Sequence, residues 1–280
     1  MSIVAPTLDA ELSLAARCGP GRRVVVGIDE VGRGALAGPV AMGACAIEIV
    51  DGRVAALPEG VRDSKKLSAL RRAALVDPIL DTAHAGSVGW ASAAEIDEIG
   101  IVPALTRAAL RALEALEVEI DAILLDGNVD VLSAELGSAE RPAPLVELRV
   151  AADRDCASVS AASILAKVAR DAYMVELDAL APEYSWAQNK GYGAAVHREA
   201  IDRHGTHEHH RRSWRLGSGA GTVPKRSSPR APAPVANPTP APVANPTPVP
   251  PPAPDPLPTL SHAGVLWGDQ WEPQPKEERR

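Results

Sequence analysis

Cysteine is scarce in this chain: Cys18, Cys45 and Cys156 are the only three among 280 residues. The number is odd and the spacings match no metal or redox motif, so neither a disulfide framework nor a cysteine metal site is expected. Reduced thiols in a cytoplasmic protein fit better. Long apolar runs are missing too. No window approaches the ~20 residues of a membrane span, and Asp9 and Glu11 interrupt any signal-peptide core. Positive charge is also in short supply. The net charge of −7 argues against a generally basic nucleic-acid coat. Local basic clusters remain, at Arg62, Lys65, Lys66, Arg71 and Arg72 and again at Arg211, Arg212 and Arg215. Taken alone, each reads equally well as a solvated face.

A sharp compositional break follows Leu216. Beyond it the chain is rich in Pro, Ala, Gly, Ser and Thr, and the octapeptide Ala-Pro-Val-Ala-Asn-Pro-Thr-Pro occurs in tandem at Ala233–Pro240 and Ala241–Pro248. Dense proline removes amide donors and favours extended polyproline II. Such a segment buries too little apolar surface to offset its ordering entropy. Residues 217–280 are therefore expected to be a disordered tail, and residues 1–22 an N-terminal extension. Residues 23–216 are long enough to build a full core.

Three strand-like segments rich in apolar residues end at carboxylates, the second interrupted by Asp121 and the third alternating with Glu147 and Arg149. Val24–Ile28 leads into Asp29-Glu30, Ile120–Leu125 leads into Asp126, and Val146–Val150 is followed after two alanines by Asp153. Short apolar runs bounded by turn chemistry read as buried strands. If the three are parallel neighbours, their carboxyl ends share the sheet edge where open α/β sheets place ligands. At about 4 Å and an effective dielectric near 20, each like-charge pair costs roughly 4 kcal/mol. Such a cluster either takes up protons or holds hard divalent cations. Mg²⁺ takes a few carboxylates and keeps waters for a phosphate substrate. The pattern points to metal-assisted phosphoryl chemistry.

Further strands are expected at Val40–Val50, before the Asp51-Gly52 turn, and at Ser87–Ala91. Ser68 is positioned to cap a helix reaching about Leu75, with Pro78 disturbing its continuation. A short helix is expected over Ala93–Ile99. Leu105, Ala109, Leu113 and Leu116 recur at helical spacing ahead of the fourth strand. Ala157–Leu180 reads as a long helix on which Ser160, Ser163, Lys167 and Arg170 share one polar face. That face is either solvated or turned to a substrate. The element order gives a mixed five-stranded α/β sheet, with an antiparallel meander followed by helical crossovers.

Six motifs carry a family resemblance. Asp29-Glu30-Val31-Gly32-Arg33-Gly34 resembles the opening signature of the type 2 ribonucleases H, the ribonuclease HII group. The resemblance continues through Asp63-Ser64-Lys65-Lys66-Leu67, Asp126-Gly127-Asn128, Ser160–Lys167, Lys190-Gly191-Tyr192-Gly193 and His209-His210-Arg211-Arg212-Ser213. It implies a ribonuclease H-like fold with a C-terminal helical extension. It also implies cleavage of RNA in RNA–DNA hybrids and incision at single ribonucleotides in duplex DNA, leaving 5′-phosphate and 3′-hydroxyl ends. The implied cofactor is Mg²⁺ or Mn²⁺, held by Asp29, Glu30, Asp126 and Asp153, which are also the catalytic set. The resemblance makes Gly32, Arg33 and Gly34 a ribose-reading loop and sets Tyr192 against the sugar. Ser64, Lys65 and Lys66 are expected at phosphates, with Lys167 and Arg170 as weaker candidates. A cytoplasmic monomer is expected, with no membrane contact and no identified partner for the tail.

The chain departs from the pattern at Ala151, where many relatives carry lysine, and at Ala194, where threonine is common. His204, His207, His209 and His210 read as part of a terminal helix, with a transition-metal site as the alternative. The enzymatic rival is the type 3 ribonuclease H, and the rival of another class is a hybrid-binding protein without catalysis.

Overall fold

The computed structural model describes residues 5–61, 64–137 and 143–217, the backbone alone for Lys66, and the backbone of Leu260–Ser261 and Gly264–Val265. The rest of the expected tail lies outside the described residues.

Five main strands form a mixed sheet, as the sequence predicts. β1 (Arg22–Val31) pairs antiparallel with β2 (Val40–Val50), and the two-residue β3 (Arg53–Val54) folds back on β2 after the Asp51-Gly52 turn. Helix α2 (Ala69–Thr82) leads to β4 (Ala85–Ala91), which pairs antiparallel with β2. Helices α3 (Ala93–Ile99) and α4 (Ile101–Ala115) then cross over to β5 (Ala122–Asp126), parallel to β1. β6 (Leu145–Arg149) adds in parallel outside β5. The short α5 (Ala152–Asp155) and long α6 (Ala157–Leu180) follow, then α7 (Trp186–Asn189) and α8 (Ala195–His204). At the far edge β7 (Leu260–Ser261) pairs with β4 through Val88 and Leu260, and β8 (Gly264–Val265) pairs with β7.

Helices cover both faces of the sheet, so the central strands read as nearly unbroken apolar runs. Val24, Val26 and Ile28 pack toward Leu105, Ala109 and Leu113 of α4. On the other face α6 lies close against β1 and β2 because glycine stands where it crosses. A Cβ on Gly27 would fall 2.4 Å from Ser158, and one on Gly43 would fall 2.1 Å from the Ala162 carbonyl.

Two expectations need correction. Asp29 and Glu30 lie inside β1, because pairing with β2 continues to Val31 after pairing with β5 has stopped at Ile28. Pro78 sits within α2 and does not end it, since Val76, Ile79 and Leu80 around it are buried and hold the helix down. Within the N-terminal extension, Leu14 and Ala15 of α1 (Asp9–Arg17) pack with Val25, Leu124 and Val159. Glu11 is fully buried and accepts hydrogen bonds from the Ser158 amide (2.8 Å) and hydroxyl (2.7 Å) at the start of α6. Among the described residues no helix is long and apolar enough to cross a membrane.

Candidate active site

The register of the sheet builds a notch. Ile28 is level with Leu125, and β5 ends one residue later, so Asp126 falls level with Asp29. From there β1 runs on without a neighbour on that side. Asp29 continues the side of β1 that faces α6, while Glu30 points through the sheet, as the strand pleat demands. Glu30 lines a crevice with Arg33, Met42, Leu105, Asp126 and Asn128. Asp153 comes from α5, four residues past the end of β6.

The four carboxylates predicted from sequence act on one another. Asp29 is 7% exposed and Asp153 is 2% exposed, while Glu30 and Asp126 are half-buried. Burial pushes Asp29 up to about 7; the Ser163 hydroxyl pulls it down, and Asp126, Asp153 and Glu30 push it further up. Burial also raises Glu30, with Arg33 opposing and Asp126 adding to the rise. Asp126 is raised by burial too, opposed by the Ala152 amide and reinforced by Asp153. Removing charges from water and crowding like charges both favour the protonated form.

Local bonds fix this geometry. Asp29 Oδ1 accepts the Glu30 amide at 2.8 Å. Asp126 Oδ1 accepts the Ala152 amide at 2.7 Å, tying β5 to α5. The turn into α5 puts Ala151 in the left-handed region at φ 60°, an uncommon conformation for a residue with a side chain. Ser160 Oγ donates to the Asp153 carbonyl at 2.6 Å. Lys65, largely exposed, reaches Asp153 Oδ2 with its ammonium at 3.2 Å.

The other sequence candidates divide. Ser64 is buried and shares a hydrogen bond with Ser163 (2.9 Å), so it supports Asp29's neighbour and does not face solvent. Lys167 pairs with Asp171 at 2.6 Å. Arg170 is not on the cleft at all: it is fully buried, and its guanidinium donates to backbone carbonyls. The polar face of α6 is thus turned inward against polar partners. Arg33 and Gly34 are exposed, and Tyr192 is 39% exposed with its ring 5.6 Å from the Arg170 guanidinium carbon. The two loop glycines differ in purpose. Gly32 has φ +85° and leaves room for Arg170, whose Nε would lie 2.1 Å from a Cβ there; Gly34 is open.

Sequence reading missed the histidine network behind Tyr192. The Tyr192 carbonyl can only accept, so His197 carries its proton on Nδ1 (2.9 Å), and its Nε2 accepts from Trp186 Nε1 at 3.0 Å. His210 Nδ1 accepts the His207 amide at 2.8 Å, which leaves its proton on Nε2, 3.1 Å from His197 Nε2. Helix α8 stops at His204, so His204 is helical as expected, whereas His207, His209 and His210 lie on the turn that follows. His207, Glu208 and His209 bring ligand-type atoms within 4.8 Å of one another on that turn.

Residues 26–216 match the family model described as Ribonuclease HII. A Streptomyces griseus protein named Ribonuclease HII is 44% identical over 213 residues, covering 75% of this chain and 84% of the relative. One from Cereibacter sphaeroides with the same name is 45% identical over 191 residues, covering 68% of this chain and 84% of the relative. The solved ribonuclease H2 of Pyrococcus horikoshii OT3 superposes with a TM-score of 0.54 at 26% identity, covering 68% of this chain and 93% of that one.

Proposed function

This chain belongs to the ribonuclease HII family, and from that premise we propose that it incises duplex DNA on the 5′ side of single embedded ribonucleotides. The coarser activity comes with membership: the chain is a type 2 ribonuclease H, an endonuclease that cleaves the RNA of RNA–DNA hybrids. The reaction we assign is phosphodiester hydrolysis leaving 5′-phosphate and 3′-hydroxyl ends, with Mg²⁺ or Mn²⁺ as cofactor.

The observation that carries this reading is the gathering of Asp29, Glu30, Asp126 and Asp153 at the notch. The donor set fits a hard divalent cation, because it offers carboxylate oxygens and no sulfur or imidazole. Burial first, and crowding by neighbouring carboxylates after it, pushes Asp29, Glu30 and Asp126 up, so the ionised cluster favours a positive partner. These four residues would hold the ion. When bound, it supplies positive charge that activates a water and stabilises the leaving 3′-oxygen.

The chain's own groups do the rest. Ser163 steadies Asp29, and the Ala152 amide steadies Asp126. Lys65 provides a movable cation beside Asp153, within reach of a phosphate, and Lys66 and Lys167 are assigned to the flanking backbone. Arg33 and Gly34 present main-chain amides to the ribose, whose 2′-hydroxyl separates RNA from DNA. Tyr192 packs against the sugar. All these residues come from one chain, so a monomer suffices. The free Cys18, Cys45 and Cys156 suit a cytoplasmic setting.

The test is cleavage of a duplex carrying one ribonucleotide, with Mg²⁺ or Mn²⁺ and with product ends mapped. A single cut on the 5′ side is expected, slowed by about 10³-fold or more in Asp29→Asn. Binding without cutting, or cutting of long hybrids alone, would refute the assignment.

A further inference from the structure

Arg170 and Arg211 are both fully buried, and neither makes an ion pair among the described residues. A buried guanidinium is costly unless its donors are all used. Here the compensation comes from backbone carbonyls. Arg170 donates Nε to Pro39 (2.8 Å), Nη1 to Lys190 (3.0 Å) and Nη2 to Ala37 (3.3 Å). Arg211 donates Nη1 to Arg33 (2.7 Å), Nη2 to Gly32 (2.7 Å) and Gly38 (3.1 Å), and Nε to Gly38 (3.2 Å).

The consequence lies on the far side of each peptide. In a planar trans peptide the carbonyl and the following amide point in opposite directions. Drawing the Gly32 carbonyl inward therefore turns the Arg33 amide outward, and drawing the Arg33 carbonyl inward does the same for Gly34. Among the described residues neither amide has a protein acceptor, and the space beside Gly34 is open. Arg170 acts on the neighbouring loop: it holds the Lys190 carbonyl while its guanidinium lies under the Tyr192 ring at 5.6 Å. On its outer side, Arg211 is covered by the Trp214 ring at 4.8 Å.

We propose that Arg211, with Arg170 beside it, is a positioning residue for ribose discrimination, aiming the Arg33 and Gly34 amides at the sugar and holding Tyr192 next to them. The proposal rests on the ribose-reading role assigned above. Lysine cannot substitute, because one ammonium lacks the planar fork that spans three carbonyls. The arginines touch no substrate themselves, so their loss acts on recognition and leaves general duplex binding in place.

The experiment uses the full chain carrying Asp29→Asn, which binds without cutting. Fluorescence anisotropy gives affinities for a duplex with one ribonucleotide and for the same duplex in all-DNA form. Adding Arg211→Lys should lower the ratio of the two affinities about tenfold, with all-DNA affinity within about twofold of the parent. A folded Arg211→Lys protein that keeps the parent ratio overturns the proposal. If that variant does not fold, Trp214→Leu, which uncovers Arg211 without removing its charge, takes its place. A drop of about threefold is then expected, and an unchanged ratio overturns the proposal. If the Asp29→Asn parent itself shows no preference for the ribonucleotide, the ribose-reading role fails and takes this inference with it.

Discussion

Asp29 is a buried carboxyl whose ionisation opposes folding. Its unfolded carboxyl titrates near 3.8 and its folded one near 7, so the folded chain holds a proton that the unfolded chain has released. Stability of the metal-free protein therefore falls as pH rises through that window, by an amount on the order of a few kcal/mol. Asp29→Asn should raise the metal-free melting temperature at pH 8 by roughly 5 °C while abolishing cleavage. Calorimetry decides it, and a lower melting temperature would mean that the charge is already compensated. Asp29, Glu30 and Asp126 were legible from sequence because each follows an apolar run that could only be a strand. Arg170 was not. Its spacing with Ser160, Ser163 and Lys167 suggested a face turned to solvent or substrate. The partners that bury it are backbone carbonyls on β1's exit loop and at Lys190, and carbonyls leave no trace in a residue pattern.

Among the elements, α8 shows a missing bond. Its first residue follows Ala194, which has the extended backbone of a cap but no side-chain acceptor. Ala194→Thr should supply that oxygen and stabilise the protein by about 1 kcal/mol, measured by urea denaturation; no gain would mean that a local alternative already satisfies the helix start. The turn after α8 carries a pH dependence of its own. Burial, and then His197, push His210 down to about 4 from the usual 6.5. The unfolded chain thus takes up a proton that the folded chain refuses. Stability from this group is complete above pH 6.5 and is lost as pH falls toward 4, by about 3 kcal/mol at most. Asp29 works in the opposite sense over the same range, so the informative quantity is the difference between wild type and His210→Asn. The variant should lose less stability between pH 6.5 and 4, and an identical decline would contradict the network. Strands and α6 were readable because their apolar periods are long. The turn at His207–His210 was not, because it packs against the Trp186 ring and pairs with Ala37 and Gly38, far away in sequence.

For the whole molecule, the parts that hold the site are spread from α1 to the C-terminal turn. Glu11 closes the start of α6, α5 presents Asp153, and Arg211 returns to the loop after β1. The sheet order was foreseeable from strand and helix alternation, whereas the contribution of α1 was not, since a nine-residue helix with two early acidic residues reads as surface. What the architecture achieves is convergence: β1, the end of β5 and the segment after β6 meet at one notch. Titration of the metal-free protein with Mn²⁺, followed by electron paramagnetic resonance, tests that convergence most directly. The account predicts that Asp29→Asn, Asp126→Asn and Asp153→Asn each weaken the same tightest ion by about tenfold or more. Unchanged Mn²⁺ affinity in folded Asp126→Asn or Asp153→Asn protein would contradict it.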